Sequence, residues 1–119
     1  MNVVFVASEA VPFAKTGGLA DVAGALPRAL EKQGHSTLLF MPCYRRVWSA
    51  GPELIDTGLI LRIPVGARWV EGQVYESRLP GSGVLVYLIA QASYFDRDGI
   101  YGSAGKDYAD NCEIGRAHV

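Results

Sequence analysis

The residues best suited to chemistry form one short segment near the start of the chain, Lys15-Thr16-Gly17-Gly18. An apolar run, Val3–Ala7, precedes it and predicts a buried strand. Apolar residues at helical spacing follow it. The segment therefore lies where a strand passes through a loop into a helix. Free N–H groups and the positive end of a helix dipole favour an anion there, most often phosphate. Lys15 would add a positive charge on the same side.

Neither of two common phosphate-binding motifs fits this segment. It lacks the Gly-Lys-Ser/Thr ending of a Walker loop, and its glycines are adjacent rather than spaced as G-x-G-x-x-G. Spacing alone leaves two interpretations open. Gly17 and Gly18 either bind phosphate or only form the turn into the helix, with Lys15 as a solvated surface lysine.

The helix is predicted to begin near Gly18 and to end before Gly34, a residue suited to a left-handed cap. Pro27 lies inside it. A proline in a helix interior costs about 3 kcal/mol, so we expect a kink there or a break into two short helices.

Asp21 lies in the first turn of this helix. A carboxylate there is stabilised by the helix dipole, by about 0.3–1 kcal/mol. Alternatively it faces a cleft and binds a sugar hydroxyl. Because we expect Val22, Ala23 and Leu26 to take the core face, Asp21 is free to point elsewhere.

The rest of the chain predicts an α/β sheet. Asn2–Ala7 is expected to be a central strand covered on both faces, and Thr37–Met41 the second strand. From Leu54 to Leu79 the pattern favours an antiparallel hairpin, and Val84–Ala90 a return to the sheet interior. Tyr94–Tyr108 is aromatic and acidic, which suits either carbohydrate contact or a surface loop anchored by its rings.

Three further polar side chains are open to two interpretations. Glu9, in the loop after the first strand, either faces the cleft or is a surface carboxylate, and we favour the surface. Arg45 and Arg46 could line the cleft, but solvated arginines are the favoured interpretation.

The segment Lys15–Pro27, KTGGLADVAGALP, resembles the K-x-G-G-L signature of bacterial glycogen synthases and plant starch synthases. The flanking stretches VVFVASEAVPFA, RALEKQGH and MPCYR resemble the same enzymes. So do YFDRDGIYG and GKDYADN near the far end. The resemblance covers residues 1–111, and the lysine makes it specific to this family among glycosyltransferases.

The resemblance implies a Rossmann-like open α/β sheet, the first part of the N-terminal domain of a two-domain GT-B glycosyltransferase. Residues 1–113 would form this partial domain. Residues 114–119 leave the family pattern, and we expect a truncated or adapter-derived tail, so His118 is not a catalytic candidate.

The activity implied is retaining transfer of glucose from ADP-glucose to the non-reducing end of an α-1,4-glucan, without a cofactor. Lys15, Gly17 and Gly18 would bind the donor diphosphate, and Asp21 would contact the sugar or the acceptor. No catalytic residue is assigned within the chain. Because the second domain supplies most of the donor pocket in that family, we expect these 119 residues alone to be inactive.

Two alternatives remain. The chain could be a stand-alone nucleotide- or phosphate-binding module, or part of a GT-B enzyme with another donor. No residue that would read the base is recognisable, so the sequence does not choose ADP over UDP.

Composition narrows the partners and the compartment. The formal net charge is −1, which argues against nucleic acid. The apolar start has no basic residues before it and is too short to span a membrane. Cys43 and Cys112 lack metal-site spacing, so we expect no metal and reduced thiols. A cytoplasmic protein is therefore expected.

Overall fold

The computed structural model describes residues 1–97, 99–103 and 106–111. Two short gaps and the segment 112–119 lie outside it, so the predicted tail and His118 are outside the described residues. The elements in chain order are β1 (Asn2–Val6), α1 (Gly18–Lys32), β2 (Ser36–Pro42), α2 (Arg45–Ala50), β3 (Ile55–Val65), β4 (Arg68–Arg78), β5 (Leu85–Ala90), α3 (Ala92–Phe95), β6 (Gly102–Ser103) and β7 (Lys106–Asp107).

The five long strands form one mixed sheet in the order β1-β2-β5-β4-β3. β1, β2 and β5 are parallel, whereas β4 pairs antiparallel with both β5 and β3. The hairpin turn between β3 and β4 contains Gly66 at φ +63°, a left-handed conformation that glycine adopts without strain. The α/β class, the predicted hairpin and the return of the chain to the sheet interior are confirmed.

The core is centred on β2 and β5. Leu39, Met41, Val86 and Leu88 alternate along these strands and are at most 1% exposed. A parallel sheet covered by a connecting helix, here α1 between β1 and β2, buries apolar residues of this kind. Because β1, β2 and β5 are parallel, their carboxyl ends lie at one edge of the sheet.

The prediction that β1 is a central strand covered on both faces is wrong. Within the described residues β1 pairs only with β2 and forms an edge of the sheet. Val4 and Val6 are 57% and 59% exposed, because they lie on the sheet face that α1 does not cover.

The predicted core face of α1 is also wrong. The buried residues are the small ones, Ala20, Ala23, Gly24 and Pro27, at spacings of three and four. Of the three predicted core residues only Ala23 is buried; Val22 is 57% and Leu26 43% exposed. Small side chains let the helix approach its neighbours closely, which decides the face that is buried.

α1 remains one helix through Pro27, so a break at that residue is excluded. Side chains donate additional hydrogen bonds to two carbonyls near the proline, although the carbonyl that loses its helical donor is that of Ala23. Arg28 Nε donates to the Gly24 carbonyl at 2.9 Å, and Thr37 Oγ1 donates to the Pro27 carbonyl at 3.3 Å. Complete burial of the proline ring adds apolar contact that offsets the missing N–H.

Gly24 is the point of closest approach between α1 and the loop that follows β1. A Cβ at this position would lie 2.7 Å from the carbonyl oxygen of Val11. Alanine gains about 1 kcal/mol of helix propensity over glycine, whereas overpacking costs about 1–3 kcal/mol. We therefore expect Gly24→Ala to lower the free energy of unfolding by up to about 2 kcal/mol, the overpacking cost less the gain in helix propensity.

The measurement is urea denaturation followed by circular dichroism. Gly18→Ala in the same helix is the matched control. Beyond its chain neighbours and the helix backbone, no described atom lies within 4 Å of the place its new methyl group would take, so stability should hold or rise. Equal stability of the two variants would contradict the close-approach interpretation.

Candidate functional site

The loops that leave the parallel strands meet at the carboxyl edge of the sheet, where open α/β sheets bind ligands. The Tyr44 hydroxyl, after β2, donates to the Ser8 carbonyl, after β1, at 2.6 Å. The Ser8 and Tyr101 hydroxyls are also hydrogen-bonded to each other. Two stretches distant in sequence therefore contact the loop that carries Lys15.

That loop is fixed to the start of α1. The amides of Phe13 and Ala14 donate to the Ala10 carbonyl at 2.9 and 3.0 Å, which closes a tight turn. The Val11 amide donates to the Ala20 carbonyl at 3.0 Å. These bonds set the direction in which the chain approaches the helix.

Gly17 is the N-cap residue of α1 and Gly18 is its first residue. Gly17 has an extended conformation, and no side chain caps the helix. Beyond the chain neighbours and the helix backbone, no described atom lies within 4 Å of the position that a Cβ would take on either glycine. The first N–H groups of a helix have no intrahelical acceptor, so at this uncapped start they are available to an anion.

Lys15 and Asp21 form an ion pair in front of this helix start. Lys15 Nζ lies 2.9 Å from both Asp21 Oδ1 and Asp21 Oδ2. The two side chains are 52% and 56% exposed. The structure thus brings together all four residues that the sequence singled out, Lys15, Gly17, Gly18 and Asp21.

Glu9 is not a surface carboxylate, and that interpretation is wrong. Glu9 is only 2% exposed. Its Oε2 accepts hydrogen bonds from the Thr16 amide at 2.8 Å and from Thr16 Oγ1 at 2.6 Å. Burial requires a carboxylate to be hydrogen-bonded, and here the partner is the residue just before Gly17.

Arg46 is also not simply solvated. Its Nη1 donates to the Lys15 carbonyl at 3.2 Å, and it is half-buried. Arg45 instead pairs with Asp96, with Nε 2.9 Å from Oδ1. Residue type alone could not predict that these neighbouring arginines have different partners. Their position directly after β2, at the carboxyl edge, did indicate that they could lie near the candidate site.

Two nearby groups that could act as nucleophiles stay protonated at neutral pH. Burial raises the pKa of the Cys43 thiol to about 12. Burial, and then repulsion from Tyr101 and Glu9, raises the pKa of the Tyr44 hydroxyl, with Arg46 opposing the shift. Tyr44 therefore serves as a hydrogen-bond donor to Ser8, and Cys43 as a core thiol.

The aromatic and acidic segment divides into two parts. Tyr94 and Phe95 are 5% and 4% exposed, which fits the interpretation of rings that anchor a surface loop. Tyr101 is 41% exposed and remains available at the edge of the site. Asp98 lies outside the described residues.

The candidate site is an open surface in this chain. Two grooves of about 510 and 520 Å³ lie elsewhere, one beside Pro12 and Glu53 and the other beside Trp48 and Gln91. Among the described residues no three His, Cys, Asp or Glu side chains are grouped as metal ligands would be. No described helix has the length and apolar character to cross a membrane.

The family model of the starch synthase catalytic domain matches residues 2–115. The chain belongs to this family. The resemblance noted in the sequence is thereby confirmed, and the match includes every residue of the candidate site.

Bacterial glycogen synthases are similar over nearly the whole chain. The enzyme of Syntrophotalea carbinolica is 45% identical over 113 residues, which cover 95% of this chain and 23% of the relative. The enzyme of Geotalea daltonii is 40% identical over 111 residues, which cover 93% of this chain and 22% of the relative. The chain therefore spans less than a quarter of the length of these relatives.

A solved structure has the same fold. The catalytic domain of starch synthase IV from Arabidopsis thaliana, bound to ADP and acarbose, aligns with a TM-score of 0.72 at 24% identity. The alignment covers 85% of this chain and 21% of that one. The predicted Rossmann-like α/β fold is confirmed.

The Lys15–Asp21 pair should contribute little to stability, because exposed ion pairs are worth about 0–1 kcal/mol. We expect Asp21→Asn to change the free energy of unfolding by less than about 1 kcal/mol. Chemical denaturation of both proteins measures the difference.

Asp110→Asn is the comparison variant. Its partner Arg97 lowers the pKa of the Asp110 carboxyl by hydrogen bonding, and both side chains are mostly shielded from solvent. This substitution should cost more stability than Asp21→Asn. The Asp110 contribution is present above the ordinary carboxyl pKa and is lost as pH falls through the lowered one. A larger loss for Asp21→Asn would show that Asp21 is mainly structural.

Proposed function

We propose that the full-length protein carrying this chain is a glycogen synthase. It transfers glucose from ADP-glucose to the non-reducing end of an α-1,4-glucan, with retention of configuration. Family membership and the glycogen synthase relatives support the reaction class. The ADP in the Arabidopsis structure supports an adenine nucleotide rather than a uridine donor. A cytoplasmic location, with neither nucleic acid nor membrane as a partner, remains a prediction.

The observation that carries the proposal at the level of residues is the geometry around Lys15. The exposed ammonium group of Lys15 and the uncapped start of α1 at Gly17 and Gly18 belong to the same loop-to-helix turn. We assign these three residues to the donor diphosphate. The positive end of the α1 dipole adds to their attraction for the anion.

Asp21 has two successive roles in this proposal. Without donor, its carboxylate neutralises Lys15, at 2.9 Å from both oxygens. The pair is exposed and weak, so a diphosphate with a higher charge displaces the carboxylate. The released Asp21 can then accept a hydrogen bond from a hydroxyl of the sugar or the acceptor.

These contacts promote reaction because negative charge grows on the diphosphate as the glucosyl bond breaks. Donors placed where charge develops stabilise the transition state more than the bound substrate. Lys15 and the two amides are oriented before the reaction by the loop and the helix. The second domain of the full-length enzyme would supply the remaining donor contacts and the catalytic groups.

We expect Lys15→Ala in the full-length enzyme to lower kcat by about 10²–10³-fold, the effect of losing one such donor. Lys15→Arg keeps the charge but changes its shape, so the loss should be partial. Incorporation of labelled glucose from ADP-glucose into glycogen measures kcat for both variants.

Lys32→Ala is the matched control, because Lys32 is an exposed lysine in the last turn of the same helix. Its activity should equal that of the wild type. Wild-type turnover in Lys15→Ala would refute the assignment of Lys15 to the diphosphate.

The alternative of a stand-alone nucleotide-binding module makes a different prediction for the isolated chain. The candidate site is open and holds only one side of a diphosphate, so we expect isothermal titration calorimetry to detect no micromolar binding of ADP. Micromolar binding that Lys15→Ala abolishes would favour the module.

A further inference from the structure

The peptide unit between Lys15 and Thr16 is held at both of its polar ends by charged side chains. Its carbonyl, from Lys15, accepts from Arg46 Nη1 at 3.2 Å. Its N–H, from Thr16, donates to Glu9 Oε2 at 2.8 Å. The cation meets the negative end of the peptide dipole and the carboxylate meets the positive end.

We propose that Glu9 and Arg46 are positioning residues that orient this peptide unit for donor binding. The inference rests on the proposed function of Lys15, Gly17 and Gly18. Glu9 comes from the loop after β1 and Arg46 from α2. We call this pair the clamp, and it joins two elements across the carboxyl edge.

The location of the clamped unit gives it control over the site. Holding this peptide plane restricts ψ of Lys15 and φ of Thr16. These two angles relate the Lys15 side chain to the amides of Gly17 and Gly18. Misplacing catalytic groups by about 1 Å can lower a rate by 10²-fold, so fixing one peptide unit can have a large effect.

The chemistry of the clamp fits positioning better than packing. Glu9 is 2% exposed, and burying a carboxylate is unfavourable unless strong hydrogen bonds compensate. Among the described residues, the two hydrogen bonds that Glu9 accepts both come from Thr16, at the edge of the candidate site. Charge-assisted hydrogen bonds are shorter and stronger than neutral ones. Such bonds suit a peptide unit that must keep its orientation when an anion binds.

Arg46 adds a second effect. Its positive charge is close enough to Tyr44 to oppose the rise in the pKa of that hydroxyl, as the charge of Glu9 is close enough to add to it. Both charges therefore act on the Tyr44 hydroxyl, which donates a hydrogen bond to the loop at Ser8.

The test uses the full-length synthase with Glu9→Gln, Glu9→Ala and Arg46→Met. Gln keeps an oxygen that can accept from the Thr16 amide, whereas Ala keeps nothing. We expect kcat/KM for ADP-glucose to fall by about 10-fold in Glu9→Gln and by about 100-fold in Glu9→Ala. Arg46→Met keeps an unbranched apolar stem without the guanidinium donors and should resemble Glu9→Gln.

Arg45→Met is the matched control, because Arg45 precedes Arg46 in α2 and pairs with Asp96 instead. Its kcat/KM should stay at the wild-type value. Melting temperatures of all variants report any general loss of structure.

Coupling to Lys15 separates positioning from stability. If Glu9 acts through the orientation of Lys15, then Lys15→Ala should cost less in the Glu9→Ala background than in the wild type. Additive effects, or wild-type kcat/KM in Glu9→Ala, would overturn the proposal. Wild-type activity of Lys15→Ala would instead overturn the proposed function, so the two failures are distinguishable.

Discussion

The close packing of the loop after β1 against the first turns of α1 is the constraint on which the site depends. Val11 lies against Gly24 so closely that no side chain fits between them, and its amide bonds the Ala20 carbonyl. The helix can accept the loop only because its inner face is made of small residues. This contact fixes where the chain turns toward Gly17, and so where the amides at the helix start point.

The same packing explains the unusual distribution of apolar residues. Because Ala20, Ala23, Gly24 and Pro27 take the inner face, larger residues such as Val22 and Leu26 lie outside. On the other face of the sheet, Val4 is exposed as well. The described elements therefore leave apolar surface on the outer side of α1 and on the open face of β1, whereas hydrogen bonds and charges hold the edge that carries the candidate site.

Two kinds of electrostatic interaction occur at that edge, one exposed and one buried. Lys15 and Asp21 form an exposed pair that a ligand can exchange at small cost. Glu9 is buried, and its bonds to Thr16 are costly to break. The exposed Lys15 thus lies on a loop that hydrogen bonds attach to the start of α1, which is the arrangement that the proposed diphosphate site needs.

The sequence by itself determined the family, the strand-loop-helix unit and the residues at its turn, because these depend on local spacing and on a specific motif. It also determined the β3–β4 hairpin, since strand patterns and turn glycines act over short distances. Tertiary structure alone decided which face of α1 is buried, that β1 is an edge, and that Glu9 and Arg46 reach one peptide unit from separate elements. Those outcomes depend on contacts between residues far apart in the chain, and side-chain size and strand order, not local pattern, settle them.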